Sequence, residues 1–564
     1  MNLFQSRRIK KSWSQREIAP EDIFIDSTNV SDLDENKFEG RLERPISVLS
    51  IKSISAFFLF LFIVFGVRLY ILQVKEGSVY AEWSSDNRLR SEVVFANRGV
   101  IEDRNGISLA WNESATTTES DYPIRKYINQ DGFAHLVGYV DQPKKDSKGV
   151  YYKAKYEGLD GIEAFYDARL SGQNGEVLVE ENARLEEQSR SIIVPAQDGI
   201  NLKLEVDSRL QKLLFDSLRR LAQDAGFKGG AGVVMDVKTG GILALASFPE
   251  YDPQVMSDGK DKVLVDSYLN DKHSVFLNRA VAGLYTPGST VKPFIALASL
   301  NENIISPNTK LFSSGALVVP NTFSPDKPSI FRDWKAHGWV NMIEALAYSS
   351  NEYFFKIGGG YENQRGLGID KINEYTSDFG LKSKTGIDLF GEREGLVPNP
   401  SWKESLFGES WRLGDTYNTS IGQYGFQITP IELARATAAI ANGGKLVRPH
   451  ILNFSQVESK TIEFLNKEDL NIVRMGMRDG VLYGTAKFAN VPYVDLAAKT
   501  GTAELGVSKS LVNSWITGFF PYDSPRYVFT ILMEEAAREN TLGAVRAARS
   551  FFDGVLENAP EYFE

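Results

Sequence analysis

The pattern of apolar and polar positions first separates an N-terminal tail from a membrane-like segment. Residues 1–52 are polar, carry charges of both signs and show no sustained apolar period, so we predict a mostly disordered cytoplasmic tail. The run from Ser53 to Val67 carries no charge, and the apolar pattern continues past Arg68 to Val74. A helix of this length is about 30 Å long, enough to cross the hydrocarbon core of a bilayer. We therefore predict a transmembrane anchor over residues 53–74.

The alternative to an anchor is a cleaved signal peptide. The apolar run is long, and no cleavage site of the Ala-x-Ala kind follows it, so the anchor is favoured. Basic residues before the run, among them Arg41, Arg44 and Lys52, favour a cytoplasmic N-terminus. The protein would then be a single-pass protein of the cell (inner) membrane, with the large part of the chain that follows the anchor on the periplasmic or extracytoplasmic side.

Two further regions follow the anchor. Residues 75–198 contain short strand-like runs broken by Gly, Asn and Asp, which predicts a small β-rich domain. Leucines from Leu210 to Leu221 have helical spacing, and Ala231–Met235 and Ile242–Ala246 have the composition of two strands. We predict an α/β (α+β) domain that occupies the rest of the chain, residues 199–564.

Composition excludes several classes of function. The formal net charge is −10, and the chain has no Cys and four His. Such a chain offers no basic face for a nucleic acid. It also has no disulfide framework, thiol nucleophile or Cys-based zinc site, and its scattered histidines lack metal-ligand spacing. We expect no metal, no cofactor and, if the chain is an acyl transferase, no histidine base.

The segment Ser289-Thr290-Val291-Lys292 is the first of three blocks with acyl-transfer chemistry. A helical apolar period follows it, so Ser289 is predicted at a helix start, in a positive field that favours a developing anion. Lys292 would lie on the same face, one turn later, within reach of the serine hydroxyl. On its own, such a pair is ordinarily solvated surface. As a base near neutral pH, Lys292 needs a pKa lowered by burial or by a nearby positive charge.

The block Lys499-Thr500-Gly501-Thr502 supplies such a charge. Alternating apolar positions lead into Lys499, so the block is predicted on a strand beside the nucleophile. Gly501 would leave room for a substrate backbone, and the N–H of Thr502 would complete an oxyanion hole with that of Ser289.

The block Ser349-Ser350-Asn351 lies between two helical segments. Ser349 would relay a proton between Lys292 and a leaving amine, and the Asn351 amide would hold Lys292 or a substrate carbonyl. Without the other blocks, the same residues would be interpreted as a helix cap.

Copies of these short blocks occur elsewhere, so their order and setting decide between them. Lys238-Thr239-Gly240 precedes the nucleophile in a predicted hairpin turn, and Lys384-Thr385-Gly386 lies in a predicted loop. Ser85-Asp86-Asn87 imitates the middle block. Ser324-Pro325-Asp326-Lys327 imitates the first block but is interrupted by proline.

With the three blocks in this order, the chain resembles a penicillin-recognising serine transpeptidase. Arg98–Gly106 resembles the signature that follows the anchor in class B penicillin-binding proteins, and Gly158–Glu163 and Gly414–Gln423 are also family-like. The resemblance covers residues 53–550. The stretch between the anchor and the catalytic domain is too short for a glycosyltransferase module, so the resemblance is to the monofunctional enzymes.

Within class B, two segments are more like penicillin-binding protein 2, the elongation enzyme, than its division counterpart. They are Phe331-Arg332-Asp333-Trp334 and Gly386–Leu389, the latter followed by Leu396-Val397-Pro398. The sequence departs from the elongation type in two places. The segment between Gly106 and His135 is shorter, where an insert usually forms the head of the pedestal, and Tyr424 stands where a glycine is usual.

The resemblance implies a penicillin-binding/serine β-lactamase-like transpeptidase fold on a β-rich pedestal, together with a mechanism. Ser289, activated by the lysine one turn later, attacks the penultimate D-Ala carbonyl of a peptidoglycan stem peptide. D-Ala leaves with a proton relayed through Ser349, while Lys499 with Thr500 and Thr502 binds the terminal carboxylate. An amine from a neighbouring stem resolves the acyl-enzyme and crosslinks the wall. β-Lactams mimic the D-Ala-D-Ala end and would acylate the same serine.

The implied partners are stem peptides ending in D-Ala-D-Ala, β-lactam antibiotics, the membrane, a SEDS-family glycan polymerase and other proteins of the elongation complex. Four alternatives stay open. A division-specific transpeptidase would have the same chemistry, and a D,D-carboxypeptidase or β-lactamase would pass the acyl group to water. A β-lactam sensor would normally carry a metalloprotease region with a His-Glu-x-x-His motif, which is absent here. A non-catalytic scaffold would not need Ser289, Lys292 and Lys499.

Overall fold

The computed structural model describes residues 47–86, 89–114, 121–181, 187–321, 326–453 and 456–564. The chain forms two compact units, of which the first ends at Leu89 and the second begins at Arg90. Most of the predicted tail lies outside the described residues. So do Asn87 and Ser324-Pro325, which belong to the segments that resemble the middle and the first block.

The first unit contains a long apolar helix. Its elements are α1 (Val48–Tyr70), a π-helical turn (Ile71–Lys75) and α2 (Gly77–Asp86). The Ser47 side chain accepts the N–H of Ser50 and caps α1. Within Val48–Lys75, an 18-residue window has a mean hydropathy of 2.4, and none of that window is buried by protein. A helix that is apolar on every side and uncovered by protein is typical of a membrane span, and its length fits a single-pass anchor.

The N-terminal part of the second unit consists of short strands and short helices. The strands are β1 (Leu89–Val94), β2 (Ile101–Glu102), β3 (Ser108–Glu113), β4 (Ile124–Tyr127), β5 (Val140–Asp141), β6 (Lys144–Lys145), β7 (Tyr151–Lys153), β8 (Glu157–Gly158), β9 (Gly175–Glu181), β10 (Glu187–Val194) and β11 (Leu202–Lys203). The helices are α3 (Ala134–Val137), α4 (Gly161–Phe165) and α5 (Asp167–Leu170). The larger sheets have the strand orders β1-β9-β10 and β11-β2-β3-β4. Because β11 pairs with β2, strand pairing crosses the domain boundary that we place at residue 198.

The C-terminal part of this unit is larger. Its strands are β12 (Gly229–Asp236), β13 (Ile242–Phe248), β14 (Leu311–Ser313), β15 (Ala316–Val319), β16 (Ser329–Arg332), β17 (Gly338–Val340), β18 (Lys445–Val447), β19 (Ser459–Thr461), β20 (Ala497–Leu505), β21 (Leu511–Phe520) and β22 (Tyr527–Ala537). Its helices are α6 (Ser208–Ala225), α7 (Pro253–Asp258), α8 (Lys262–Leu269), α9 (Lys292–Asn301), α10 (Met342–Tyr348), α11 (Asn351–Gly359), α12 (Ile369–Asp378), α13 (Pro400–Phe407), α14 (Leu413–Ser420), α15 (Pro430–Asn442), α16 (Lys467–Leu482) and α17 (Ala544–Asn558). Short 3₁₀ turns cover Gly288–Val291, Lys487–Ala489 and Pro560–Tyr562.

An antiparallel sheet of order β13-β12-β22-β21-β20 forms the centre of this part. Neighbouring residues of one strand pack into different clusters, because side chains alternate between the two faces of a sheet. Val233 packs into the cluster that contains α9 and α15, whereas Val234 packs into the cluster that contains α6 and α17. Burial on both faces explains the nearly continuous apolar strands. The predicted mixed α/β domain is therefore present, with β20 at an edge of its sheet.

Two of the family-like segments, Arg98–Gly106 and Gly158–Glu163, contribute residues to buried polar networks. Arg98 Nε and Arg125 Nε lie 2.5 and 2.7 Å from the two carboxylate oxygens of Glu163, and the three side chains have no exposed surface. Asp103, in the same segment as Arg98, accepts hydrogen bonds from the N–H and hydroxyl of Ser208 at the start of α6. Buried charge is costly unless it is paired, so the Glu163 network stabilises the β-rich part itself. The bond between Ser208 and Asp103 joins this part to the C-terminal part.

Candidate active site

Ser289 lies in the 3₁₀ turn Gly288–Val291, hereafter the nucleophile turn, which leads directly into α9. The turn is stabilised by the Thr290 hydroxyl, which donates to the carbonyl of Pro287 at 2.9 Å. From Lys292 to Leu300, α9 is buried on every side, whereas Ser289 is partly exposed. The predicted helix start is therefore present in a tighter 3₁₀ form, and a buried helix holds the serine at an accessible place.

Lys292 contacts the middle block as the sequence predicts. Its Nζ donates to the carbonyl of Ser349 at 2.8 Å and to Asn351 Oδ1 at 2.7 Å, and it lies 3.3 Å from Ser349 Oγ. The lysine has no exposed surface. The structure thus brings a buried amine, a hydroxyl and an amide together one helical turn from Ser289.

The middle block forms a turn between α10 and α11, hereafter the Ser349 turn (Ser349–Asn351). The capping role that we weighed for the block is present as well: the Ser350 hydroxyl accepts the N–H of Tyr353 and caps the start of α11, and Ser349 caps the end of α10. Ser349 is left-handed, with φ of +58°, a conformation that costs a non-glycine residue about 1–2 kcal/mol. In this conformation both its carbonyl and its hydroxyl lie within 3.3 Å of Lys292 Nζ, so local strain accompanies the polar cluster.

Lys499 reaches the same cluster from β20. Its Nζ donates to Ser349 Oγ at 2.8 Å and to the carbonyl of Thr500 at 2.9 Å, and only 1% of the residue is exposed. Ser349 Oγ therefore lies between two lysine amines. A hydroxyl in this place can accept a proton from one group and donate its own to another, which is the geometry of a relay.

Backbone contact joins β20 to the nucleophile turn. A Cβ at Gly288, where φ is +57°, would lie 2.7 Å from the carbonyl of Thr502, and one at Gly501 would lie 2.5 Å from the carbonyl of Pro287. We expect Gly501 to leave room for substrate, but the structure gives a different reason: it leaves room for the nucleophile turn. The contact also places the Thr502 backbone beside Ser289.

Two side chains border the site without belonging to the three blocks. Thr485, just after α16, accepts the hydroxyl of Thr500 at 2.7 Å. Gln423 Nε2 lies 3.5 Å from the carbonyl of Thr502. The sequence carried no signal for Thr485, since its role depends on where α16 ends. Tyr424 adopts φ of +62°, and its ring contacts Trp402 in the wall beside this loop.

Burial controls the charge of the two lysines. It lowers the pKa of Lys292 to about 7, partly opposed by the carboxylate of Asp333. Burial, and after it the charge of Lys292, lowers the pKa of Lys499 well below its ordinary value. We expected the charge of Lys499 to lower the pKa of Lys292, but burial is the main cause for both groups. A neutral Lys292 is therefore accessible near pH 7, as a general base requires.

The competing copies of the third block are turns. Lys238-Thr239-Gly240 connects β12 to β13, and Asp236 accepts the N–H groups of Lys238 and Thr239. In Lys384-Thr385-Gly386 the last two N–H groups are bound by Glu392. Among the residues that the structure describes, no cluster of three His, Asp or Glu is placed to hold a metal ion. Ser289 thus lies one helical turn from a buried lysine whose amine contacts Ser349 and Asn351.

Comparisons with known proteins identify the family. A model of the penicillin-binding protein transpeptidase domain matches residues 230–557, and a model of the penicillin-binding protein dimerisation domain matches residues 116–204. The chain is 28% identical over 623 residues to the peptidoglycan D,D-transpeptidase MrdA of Escherichia coli K12, covering 90% of this chain and 95% of the relative. It is 32% identical over 475 residues to MrdA of Haemophilus influenzae, covering 77% and 70%.

Comparison with solved structures identifies the same family. Penicillin-binding protein 2 of Helicobacter pylori, in complex with MreC, matches with a TM-score of 0.69 and 27% identity over 84% of this chain and 99% of that one. Penicillin-binding protein 2 of Pseudomonas aeruginosa, in complex with WCK 5153, matches with a TM-score of 0.67 and 28% identity over 83% and 97%. A chain of a peptidoglycan synthase complex matches with a TM-score of 0.69 and 26% identity over 90% and 97%. The chain therefore belongs to the penicillin-binding protein transpeptidases, as a class B member most like penicillin-binding protein 2.

Proposed function

We propose that this protein is the peptidoglycan D,D-transpeptidase of cell-wall elongation, and that it acts through an acyl-enzyme on Ser289. One observation carries the assignment of the serine. A partly exposed hydroxyl at the start of a buried helix lies one turn from a buried lysine whose amine is bound by Ser349 and Asn351. Similarity to MrdA and to penicillin-binding protein 2 supports the substrate class and the cell-shape role.

In the acylation step, neutral Lys292 accepts the Ser289 proton as the serine oxygen bonds to the penultimate D-Ala carbonyl carbon. The carbonyl oxygen becomes an oxyanion that accepts from the N–H groups of Ser289 and Thr502. When the C–N bond breaks, the leaving nitrogen of D-Ala takes a proton delivered through the Ser349 hydroxyl. The tetrahedral carbon then returns to a carbonyl, as the ester of Ser289.

Lys499 binds the terminal carboxylate of the donor peptide, together with the hydroxyls of Thr500 and Thr502. Burial lowers the pKa of Lys499, and an approaching carboxylate opposes this effect because it favours the ammonium form. Lys499 would therefore be protonated when the substrate is bound. The edge position of β20 leaves one side of this strand open to an extended peptide.

In the second half-reaction, the amine of a neighbouring stem peptide attacks the Ser289 ester. Lys292 accepts the amine proton, the bond between the serine oxygen and the acyl carbon breaks, and Ser289 regains its hydroxyl. A water molecule in place of the amine would give D,D-carboxypeptidase activity as a side reaction. A β-lactam carries its own leaving nitrogen within a ring, so its acyl-enzyme keeps that group attached.

We also propose how the protein is arranged in the cell. Residues 1–52 form a cytoplasmic tail, residues 53–74 an anchor, residues 75–198 a pedestal and residues 199–564 the catalytic domain. The partners are the glycan polymerase of the SEDS family and other elongation proteins. Solved relatives in complex with MreC and in a peptidoglycan synthase complex support this proposal.

A crosslinking assay tests the function. The detergent-solubilised protein is incubated with uncrosslinked glycan strands that carry pentapeptide stems, and the muropeptides are separated after digestion. We expect crosslinked dimers from the natural chain and none from Ser289→Ala. Exposed Ser306 provides the matched control, so Ser306→Ala should crosslink normally. Tetrapeptide monomers without dimers would show a carboxypeptidase instead, and dimers formed by Ser289→Ala would refute the assignment.

A further inference from the structure

Asp333 lies beside the active site but outside the three blocks. It follows β16, and its side chain has no exposed surface. Its own N–H donates to the carbonyl of Gly315 at 2.9 Å. Two residues earlier, the ring of Phe331 packs against Phe355 of α11 and Tyr417 of α14, with centroids 5.9 and 4.9 Å away. The aspartate is therefore fixed in place by its own segment.

The Asp333 carboxylate holds the Ser349 turn. Its Oδ2 accepts the hydroxyl of Ser350 at 2.8 Å and the N–H of Glu352 at 2.9 Å. Ser350 is flanked by Ser349 and Asn351, the two residues that bind the amine of Lys292. One carboxylate oxygen thus fixes the middle of the turn, while the residues on both sides of it face the base.

The same carboxylate acts on the base through its charge. Asp333 opposes the effect of burial on the pKa of Lys292. The ring of His337 lies 3.7 Å from the carboxylate with 1% of its side chain exposed, and burial lowers the pKa of this histidine. A neutral imidazole does not cancel the charge of Asp333, so the negative charge acts on the amine of Lys292.

Other charged groups around Lys292 have different partners. Lys499 approaches from β20 and binds Ser349 Oγ. Lys335 lies over the rings of Trp334 and Tyr348. The carboxylate of Glu352, on α11, binds the N–H of Gly315 and the amine of Lys356. Within the described residues, Asp333 is the acidic group whose charge stabilises protonated Lys292.

We propose that Asp333 is a positioning residue of the acylation site, which holds the Ser349 turn against Lys292 by hydrogen bonds and tunes that base by its charge. The inference rests on the proposed acyl-transfer function and deepens it. The hydrogen bonds determine where Ser349 and Asn351 meet the amine. The negative charge determines at which pH the amine becomes a base.

Three variants separate these two effects. Asp333→Asn keeps an acceptor oxygen of nearly the same shape but removes the charge. Ser350→Ala keeps the charge but removes the hydroxyl's bond to Asp333, together with the cap that the same hydroxyl gives α11. Asp333→Ala removes both the charge and the hydrogen bonds of the carboxylate. The readout is the second-order rate constant for acylation by a fluorescent penicillin, measured on the detergent-solubilised full chain from pH 5 to pH 9.

We expect Asp333→Asn to move the acid limb of the profile to lower pH, because Lys292 loses the charge that stabilises its protonated form. Ser350→Ala should leave that limb in place and lower the plateau rate. Asp333→Ala should shift the limb and lower the plateau about 10- to 100-fold, since misplaced reacting groups cost rates of this order. Should Asp333→Ala fail to fold, the other two variants still test both effects.

Asp326 provides the matched control, because it is an exposed aspartate earlier in the same segment. Asp326→Asn should change neither limb nor plateau. An acid limb that stays in place in Asp333→Asn would overturn the inference, even if the rate fell, because a merely structural residue would behave in that way. A plateau unchanged in both Asp333→Ala and Ser350→Ala would overturn it as well. Since the natural chain is labelled in either case, these failures are distinct from a failure of the proposed function.

Discussion

At the scale of single residues, the site depends on taking two lysines out of water. Lys292 and Lys499 have 0% and 1% exposed surface, and they share the hydroxyl of Ser349. Burial disfavours the charged form of an amine, so the structure provides an uncharged lysine without a histidine. The hydrogen bonds that the Lys292 amine donates to the Ser349 carbonyl and to Asn351 Oδ1 orient it. Desolvation and positioning are therefore supplied by the same small cluster.

The pKa of Lys292 predicts the pH dependence of acylation. A general base acts when it is unprotonated, so the rate should rise as the pH increases through about 7 and then level off. The measurement is the rate constant for penicillin acylation of the natural chain across the same pH range. A rate that is independent of pH between 5 and 9 would show that Lys292 does not act as the titrating base.

At the scale of elements, β20 lies in close contact with the nucleophile turn, and the proposed mechanism depends on this contact. Gly288 and Gly501 make this approach possible because neither has a Cβ. The contact brings the backbone of Thr502 to the turn that carries Ser289. A change in this spacing of a few tenths of an ångström would disturb the oxyanion site without removing any catalytic side chain.

Gly288→Ala tests this contact. The new Cβ would meet the carbonyl of Thr502 at 2.7 Å, and φ of +57° adds strain, so we expect penicillin labelling to be lost and the melting temperature to fall. Gly506→Ala is the matched control, because φ is +69° and no atom lies within 4 Å of its Cβ. This control should cost about 1–2 kcal/mol of stability and retain labelling. Full labelling in Gly288→Ala would show that the contact does not matter for acylation.

The sequence predicted elements better than their arrangement. The helix at Leu210–Leu221 and the strands at Ala231–Met235 and Ile242–Ala246 are present as α6, β12 and β13. The pairing of β12 with β22 was not predictable, because the two strands are far apart in the chain and no local pattern encodes their register. Short motifs also predicted that Lys292, Ser349 and Lys499 lie together, and the structure brings these side chains into contact. Asp333 and Thr485 were not assigned to the site, since their roles arise only from tertiary packing.

At the scale of the whole molecule, a mostly apolar helix precedes a β-rich part with a buried ion-pair network of its own. Glu163 is paired with Arg98 and Arg125, and Asp103 binds the first turn of α6. The Glu163 network lies wholly within the β-rich part, whereas the bond between Ser208 and Asp103 joins that part to the C-terminal part.

Glu163→Gln tests this network. It leaves Arg125 without its counter-charge and leaves Arg98 with Asp167 alone, and breaking a buried pair costs about 3–5 kcal/mol. We expect a clear fall in the melting temperature of the solubilised protein, with penicillin still bound below that temperature. Glu557→Gln, at an exposed position of α17, should not change the melting temperature. Equal melting temperatures for Glu163→Gln and the natural chain would contradict this account of the network.

The most direct test of the central claim is to locate the acyl group on the chain. The protein is treated with penicillin, digested, and mapped by mass spectrometry, alongside Ser289→Ala and Lys292→Ala. The account predicts one penicilloyl adduct per chain, on the peptide that contains Ser289, with none in the first variant and much slower formation in the second. An adduct on another serine, or an adduct that persists in Ser289→Ala, would contradict it.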